Sequence, residues 1–153
     1  MKTTLKMLWV EDDCSILDAV VLPLRKRGWQ IHSCTNYRDA VELLSKNCDF
    51  DCYLIDLILP YLGCEVEEDR DSGLDPRYLG LKLIEEIREK FGQTPPVVAF
   101  SVVHDPAVNL ALDGLKVNKR FSKGTHTSNR QICDTIEQLV AESMQKRVTN
   151  GSL

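Results

Sequence analysis

Five short strand candidates alternate along this chain with five stretches of helical periodicity, and that alternation restricts the fold more than any other property of the sequence. The strand candidates occupy residues 5–10, 30–35, 52–56, 97–101 and about 120–123. Short apolar runs bounded by turn residues suit strands buried on both faces, and such strands pair in parallel when helices cross between them. The expected fold class is α/β, a three-layer αβα sandwich around a five-stranded parallel sheet.

The helix candidates lie at residues 15–27, 36–47, 77–91, 106–112 and 128–143. The first places Ile16, Leu17, Val20, Val21 and Leu24 at helical intervals and stops at Gly28. Pro23 inside it removes a backbone donor and is expected to kink its later turns. Asn36 can cap the second helix, whose apolar face is Ala40, Val41, Leu43 and Leu44. The third is the most clearly amphipathic, with Leu79, Leu83, Ile84 and Ile87 opposite Glu85, Glu86, Arg88 and Lys90. Pro106 can open the fourth, and Ile132, Ile136, Leu139 and Val140 mark the fifth. Residues 145–153 are polar and expected to fray.

Composition narrows the functional classes. The 153 residues, 43% hydrophobic and 27% charged, suit one soluble domain over 1–145 with a polar tail at 146–153. A net charge of −4 disfavours a general nucleic-acid surface, which needs clustered Lys and Arg. No apolar run reaches the length of a membrane span or a signal peptide, so the expectation is a cytoplasmic protein without direct nucleic-acid contact or membrane insertion. Cys14, Cys34, Cys48, Cys52, Cys64 and Cys133 lie apart in the chain and are expected to be reduced thiols. Cys48 and Cys52 lack the spacing, and the second ligand pair, of a zinc site.

Ligands in open parallel sheets sit beyond the carboxyl ends of the strands, and the residues there are chemically distinctive. Glu11, Asp12 and Asp13 follow the first strand; Asp56, Ser101 and Lys123 end the third, fourth and fifth. Packed carboxylates repel unless a cation neutralises them, and hard oxygen ligands suit Mg2+. Given that cation, a carboxylate can act as nucleophile toward a phosphoryl group while a lysine and a hydroxyl receive charge on its oxygens.

Four segments carry a family resemblance. Val10-Glu11-Asp12-Asp13, Leu54-Ile55-Asp56-Leu57-Ile58-Leu59-Pro60, Val98-Ala99-Phe100-Ser101 and Phe121-Ser122-Lys123 resemble the signature segments of the receiver domain of two-component response regulators. The resemblance covers about residues 5 to 142, with the Asp12–Asp56 and Ser101–Lys123 spacings of that pattern. It implies a flavodoxin-like doubly wound sheet of order 2-1-3-4-5. It makes Asp56 the phospho-acceptor, Glu11 and Asp12 the metal-binding pair, Ser101 the switch hydroxyl and Lys123 the phosphate partner. The backbone carbonyl of Ile58 would complete the Mg2+ ligands. The implied partners are a sensor histidine kinase or histidine phosphotransfer protein, and a downstream protein target.

The chain also departs from the pattern. Between Pro60 and Gly80 it carries an acidic insertion, at about 61–78, longer than the family's usual turn and rich in Glu65, Glu67, Glu68, Asp69, Asp71 and Asp75. It reads either as a solvated loop or as a docking flap beside Asp56. Gly124 replaces the family's proline and should hold Lys123 less rigidly. Val102 fills a position often small, which should slow entry of small phosphodonors or water. Arg120 replaces an aromatic switch residue, leaving its role to the neighbouring Phe121 or to a different rearrangement.

Plainer explanations stand beside these. Asp12 and Asp13 could merely cap the first helix, Asp56 and Lys123 could form an ordinary salt bridge, and Ser101 could satisfy backbone groups. At the level of function, the rivals are a pseudo-receiver that binds partners regardless of phosphate, and a Mg2+-dependent aspartyl phosphatase. The latter would need an acid two positions after its nucleophile, where Ile58 stands.

Overall fold

The computed structural model describes residues 4–46, 49–61, 78–124 and 126–151. The alternation of side chains along each strand decides which layer a residue joins. β1 (Lys6–Val10) sends Leu8 and Val10 to one face and Met7 and Trp9 to the other. β3 (Cys52–Ile55) and β4 (Val97–Ser101) divide in the same way, Tyr53, Ile55, Val97 and Ala99 against Cys52, Leu54, Val98 and Phe100. β2 (Gln30–Cys34) and β5 (Lys119–Ser122) form the more exposed edges. All neighbours are parallel, in the order β2-β1-β3-β4-β5.

Apolar helix stripes close both faces. α2 (Tyr37–Ser45), α3 (Leu79–Phe91) and α4 (Pro106–Gly114) cover the Tyr53 side; α1 (Leu22–Lys26) and α5 (Asn129–Gly151) cover the Trp9 side. The result is the three-layer α/β sandwich with the flavodoxin-like strand order that the sequence led us to expect. Each fully buried Leu or Ile in these layers contributes about 1.5–3 kcal/mol.

Two helix boundaries differ from expectation. Instead of one kinked helix over 15–27, the chain makes successive turns, a 3-10 turn at Asp18–Val20, and only then α1. The physical reason is Pro23, which stands in the first turn of α1, where a missing N–H costs nothing. Val20, Val21 and Leu24 are buried as expected, but Ile16 is 78% exposed. At the other end, the segment expected to fray continues α5 as far as Gly151. Met144 still packs on the core there, Ser143 Oγ donates to the Thr94 carbonyl at 2.7 Å, and no proline intervenes.

Asn36 caps α2 as read, accepting from the Asp39 amide at 2.8 Å, and Gly28, at φ 90°, ends α1. Arg88 on α3 clamps the opposite end of the sheet. Its guanidinium donates to the carbonyls of Leu115 at 3.0 Å, Lys116 at 2.9 Å and Pro95 at 2.7 Å, and to Asn118 Oδ1 at 3.0 Å. The described cysteines, Cys14, Cys34, Cys52 and Cys133, are free thiols. Apart from Tyr61 and Tyr78, the acidic insertion lies outside the described residues, as do Cys48 and Cys64. Among the described residues no helix is long and apolar enough to cross a membrane.

Candidate functional site

Parallel pairing carries the functional residues to one edge. The Glu11 amide donates to the Cys34 carbonyl and the Asp56 amide to the Val10 carbonyl, each at 2.9 Å, so both ladders run one residue past their strands. The Lys123 amide does the same to the Ser101 carbonyl at 3.0 Å. Glu11, Asp12 and Asp56 each offer a carboxylate oxygen, and these oxygens lie within 4.8 Å of one another. Lys123 Nζ sits 2.6 Å from Glu11 Oε2 and 2.8 Å from Asp56 Oδ2.

Burial makes this arrangement electrostatically demanding. Glu11 is 0% and Asp56 5% exposed, whereas Asp12 faces solvent. Glu11 is pushed up to about 7, first by burial and then by the Asp56 charge, with the Lys123 ammonium opposing both. For Lys123, burial pulls downward, but hydrogen bonds and charge from Asp56 and Glu11 outweigh it, and the net direction is up. The ammonium also stands over the Phe100 ring, 5.5 Å from its centroid, a favourable cation–π arrangement.

A divalent cation fits these residues. Glu11 Oε2 is buried with the Lys123 ammonium as its one charged partner, an ammonium it shares with Asp56. Three carboxylates at this separation match the hard oxygen set that Mg2+ takes, with one of them open to solvent for retained water.

The remaining sequence candidates fall around this cluster. Ser101 ends β4, is buried, and its Oγ accepts from the Val103 amide at 3.3 Å rather than from or to the carboxylates. The Ile58 amide donates to Asp56 Oδ1 at 3.3 Å. Val102 is 57% exposed. Gly124 has φ 79°, a left-handed backbone that proline cannot adopt. Arg120 pairs with Asp113 at 2.9 Å and, with Ser101, His104 and Asn109, lines a pocket of about 260 Å³ beneath α4. Phe121 points to the other face, into the core under α1 and α5, so it does not stand in for an aromatic residue on the Arg120 side.

Two residues beside the acidic cluster were not singled out from sequence. Phe100 read only as core, because the approach of Lys123 depends on the turn after β5. Gly80 marked only the far boundary of the insertion, inside the helix expected over 77–91; a Cβ there would lie 2.1 Å from the Asp56 carbonyl oxygen and 2.5 Å from Leu57 Cα. A glycine near a helix start is a weak signal by itself.

No protein-family model and no curated protein matches the chain. Solved structures do. A CheY-like response regulator receiver domain protein from Methanospirillum hungatei superposes with a TM-score of 0.72 at 18% identity, covering 94% of this chain and 99% of that one. The chemotaxis protein CheY4 of Vibrio cholerae gives 0.67 at 15% identity, covering 90% and 99%. A two-component response regulator from Clostridium difficile gives 0.67 at 16% identity, covering 90% and 96%. The likeness runs over nearly the whole of each chain, and the protein has the fold of the response-regulator receiver domains.

Proposed function

We propose that this protein is a phospho-accepting receiver of two-component signalling, and that Asp56 is its acceptor. The observation that carries the reading is the Lys123 ammonium bridging Glu11 and Asp56 at 2.6 and 2.8 Å inside a cluster of three carboxylates. A merely structural pair would be one acid and one base; here two buried carboxylates share a single ammonium, an excess of negative charge that a divalent cation would neutralise.

In this reading one Asp56 carboxylate oxygen attacks the phosphorus of a phosphohistidine on a partner kinase or phosphotransfer protein. The P–N bond breaks, the imidazole leaves and takes a proton, and Asp56 carries an acyl phosphate. Mg2+ bound by Glu11, Asp12, Asp56 and the Ile58 carbonyl would neutralise charge on the phosphoryl oxygens. Lys123 is already within reach of Asp56 and remains to pair with the new charge. Ser101 Oγ, which accepts from the Val103 amide, can turn to donate its own hydrogen to a phosphoryl oxygen, which shifts the β4–α4 connection and alters partner binding.

The test is incubation with Mg2+ and acetyl phosphate, read by intact mass. The unmutated protein is expected to gain one phosphoryl group and Asp56→Asn none. Failure to gain it, together with failure to bind Mg2+, would favour the pseudo-receiver that docks partners without phosphate.

A further inference from the structure

We infer that Gly80 is a positioning residue for the acceptor carboxylate, acting through the peptide group that joins Leu57 to Ile58. The inference rests on the reading of Asp56 as acceptor. That one peptide group is held at both ends. Its carbonyl, on Leu57, accepts from the Gly80 amide at 3.0 Å. Its N–H, on Ile58, donates to Asp56 Oδ1 at 3.3 Å. Gly80 thereby orients the donor that orients Asp56 Oδ1, while Lys123 holds Oδ2 at 2.8 Å.

Only glycine permits this. A Cβ at residue 80 would meet the Asp56 carbonyl oxygen at 2.1 Å and Leu57 Cα at 2.5 Å, both backbone atoms with no side chain to move aside. Nor can the first turn of α3 do without the contact: Tyr78 provides no side-chain cap, so the Leu57 carbonyl takes up an amide the helix leaves unpaired. Any side chain at residue 80 must therefore push α3 away from the acceptor loop. That turns the 57–58 peptide and displaces both the Asp56 carboxylate and the neighbouring Ile58 carbonyl. Misplacing a reacting group by about 1 Å can cost on the order of a hundredfold in rate.

The experiment compares the unmutated protein, Gly80→Ala, and Leu83→Ala, a substitution at a fully buried α3 position that serves as the control for lost stability. Labelling rates with acetyl phosphate and Mg2+ are read by intact mass where circular dichroism shows each variant folded. Gly80→Ala is expected to label on the order of a hundredfold more slowly, and Leu83→Ala within about twofold of the unmutated protein. Equal slowing in both variants, or none in Gly80→Ala, overturns the inference.

A second measurement needs neither labelling nor a folded Gly80 variant. In amide NMR spectra, Asp56→Asn should move the Ile58 and Gly80 resonances and leave that of Ile87; an unmoved Gly80 amide overturns the relay. An unmutated protein that takes up no phosphoryl group sinks the acceptor reading instead, and the NMR comparison still decides whether Gly80 is coupled to Asp56.

Discussion

At the scale of single residues, Glu11 and Lys123 set the behaviour of the acidic cluster. Because Glu11 is raised from 4.5 to about 7, it carries a proton in mildly acidic solution and offers Mg2+ one charge fewer. Titration calorimetry should show Mg2+ affinity falling as pH is lowered from about 8 to about 6, and Glu11→Gln should flatten that dependence. Stability runs the other way. A carboxyl whose folded pKa lies above its unfolded one contributes fully below 4.5 and loses that contribution as pH rises through about 7. Denaturant titrations of metal-free protein should show this loss, and Glu11→Gln should lack it. Lys123→Met removes the cation from two buried acids, so denaturant titration should show about 3–5 kcal/mol of stability lost near pH 8, part of it returning as the pH falls and Glu11 takes up a proton.

At the scale of elements, the helices differ in what holds them. α3 is tied at its start to the Leu57 carbonyl and at its end by the Arg88 clamp across the turns before β4 and β5. Arg88→Ala leaves several carbonyls without their donor, and urea denaturation should register a loss of about 2–4 kcal/mol. The turn after β5 depends on Gly124 for backbone conformation alone, since a Cβ there would meet nothing within 4 Å. Gly124→Ala should therefore cost about 1–2 kcal/mol without disturbing packing, whereas Gly124→Pro, which cannot adopt the φ of 79°, should misplace Lys123 and weaken Mg2+ binding. The helix expected over residues 15–27 shows how a local pattern misleads. Periodicity marked Val20, Val21 and Leu24 correctly as core, but it carries no information on whether Pro23 kinks a running helix or starts a new one.

At the scale of the whole molecule, the acidic cluster lies at the carboxyl edge of the sheet and the Arg88 clamp at the opposite edge. Effects at the two should add: Arg88→Ala should lower the melting temperature yet leave the increment produced by Mg2+ unchanged. At a hundredfold excess over its dissociation constant, Mg2+ should stabilise the protein by about 2.7 kcal/mol, an effect that Glu11→Gln diminishes. Much of this architecture was legible in the chain. The order of strands and helices follows from local periodicity, and Glu11, Asp12, Asp56, Ser101 and Lys123 could be assigned to strand ends because parallel strands separated by helices share a direction.

What the sequence by itself determined is therefore which residues arrive at one edge: periodicities of two and 3.6 residues are local, and they are written residue by residue. Distances are not local. That Lys123 spans Glu11 and Asp56, that Phe121 turns away from Arg120, and that α3 presses so close to Asp56 that only glycine fits at position 80 were decided by tertiary packing. Each depends on ångström-scale approach between segments far apart in the chain, set by the summed packing of both faces of the sheet.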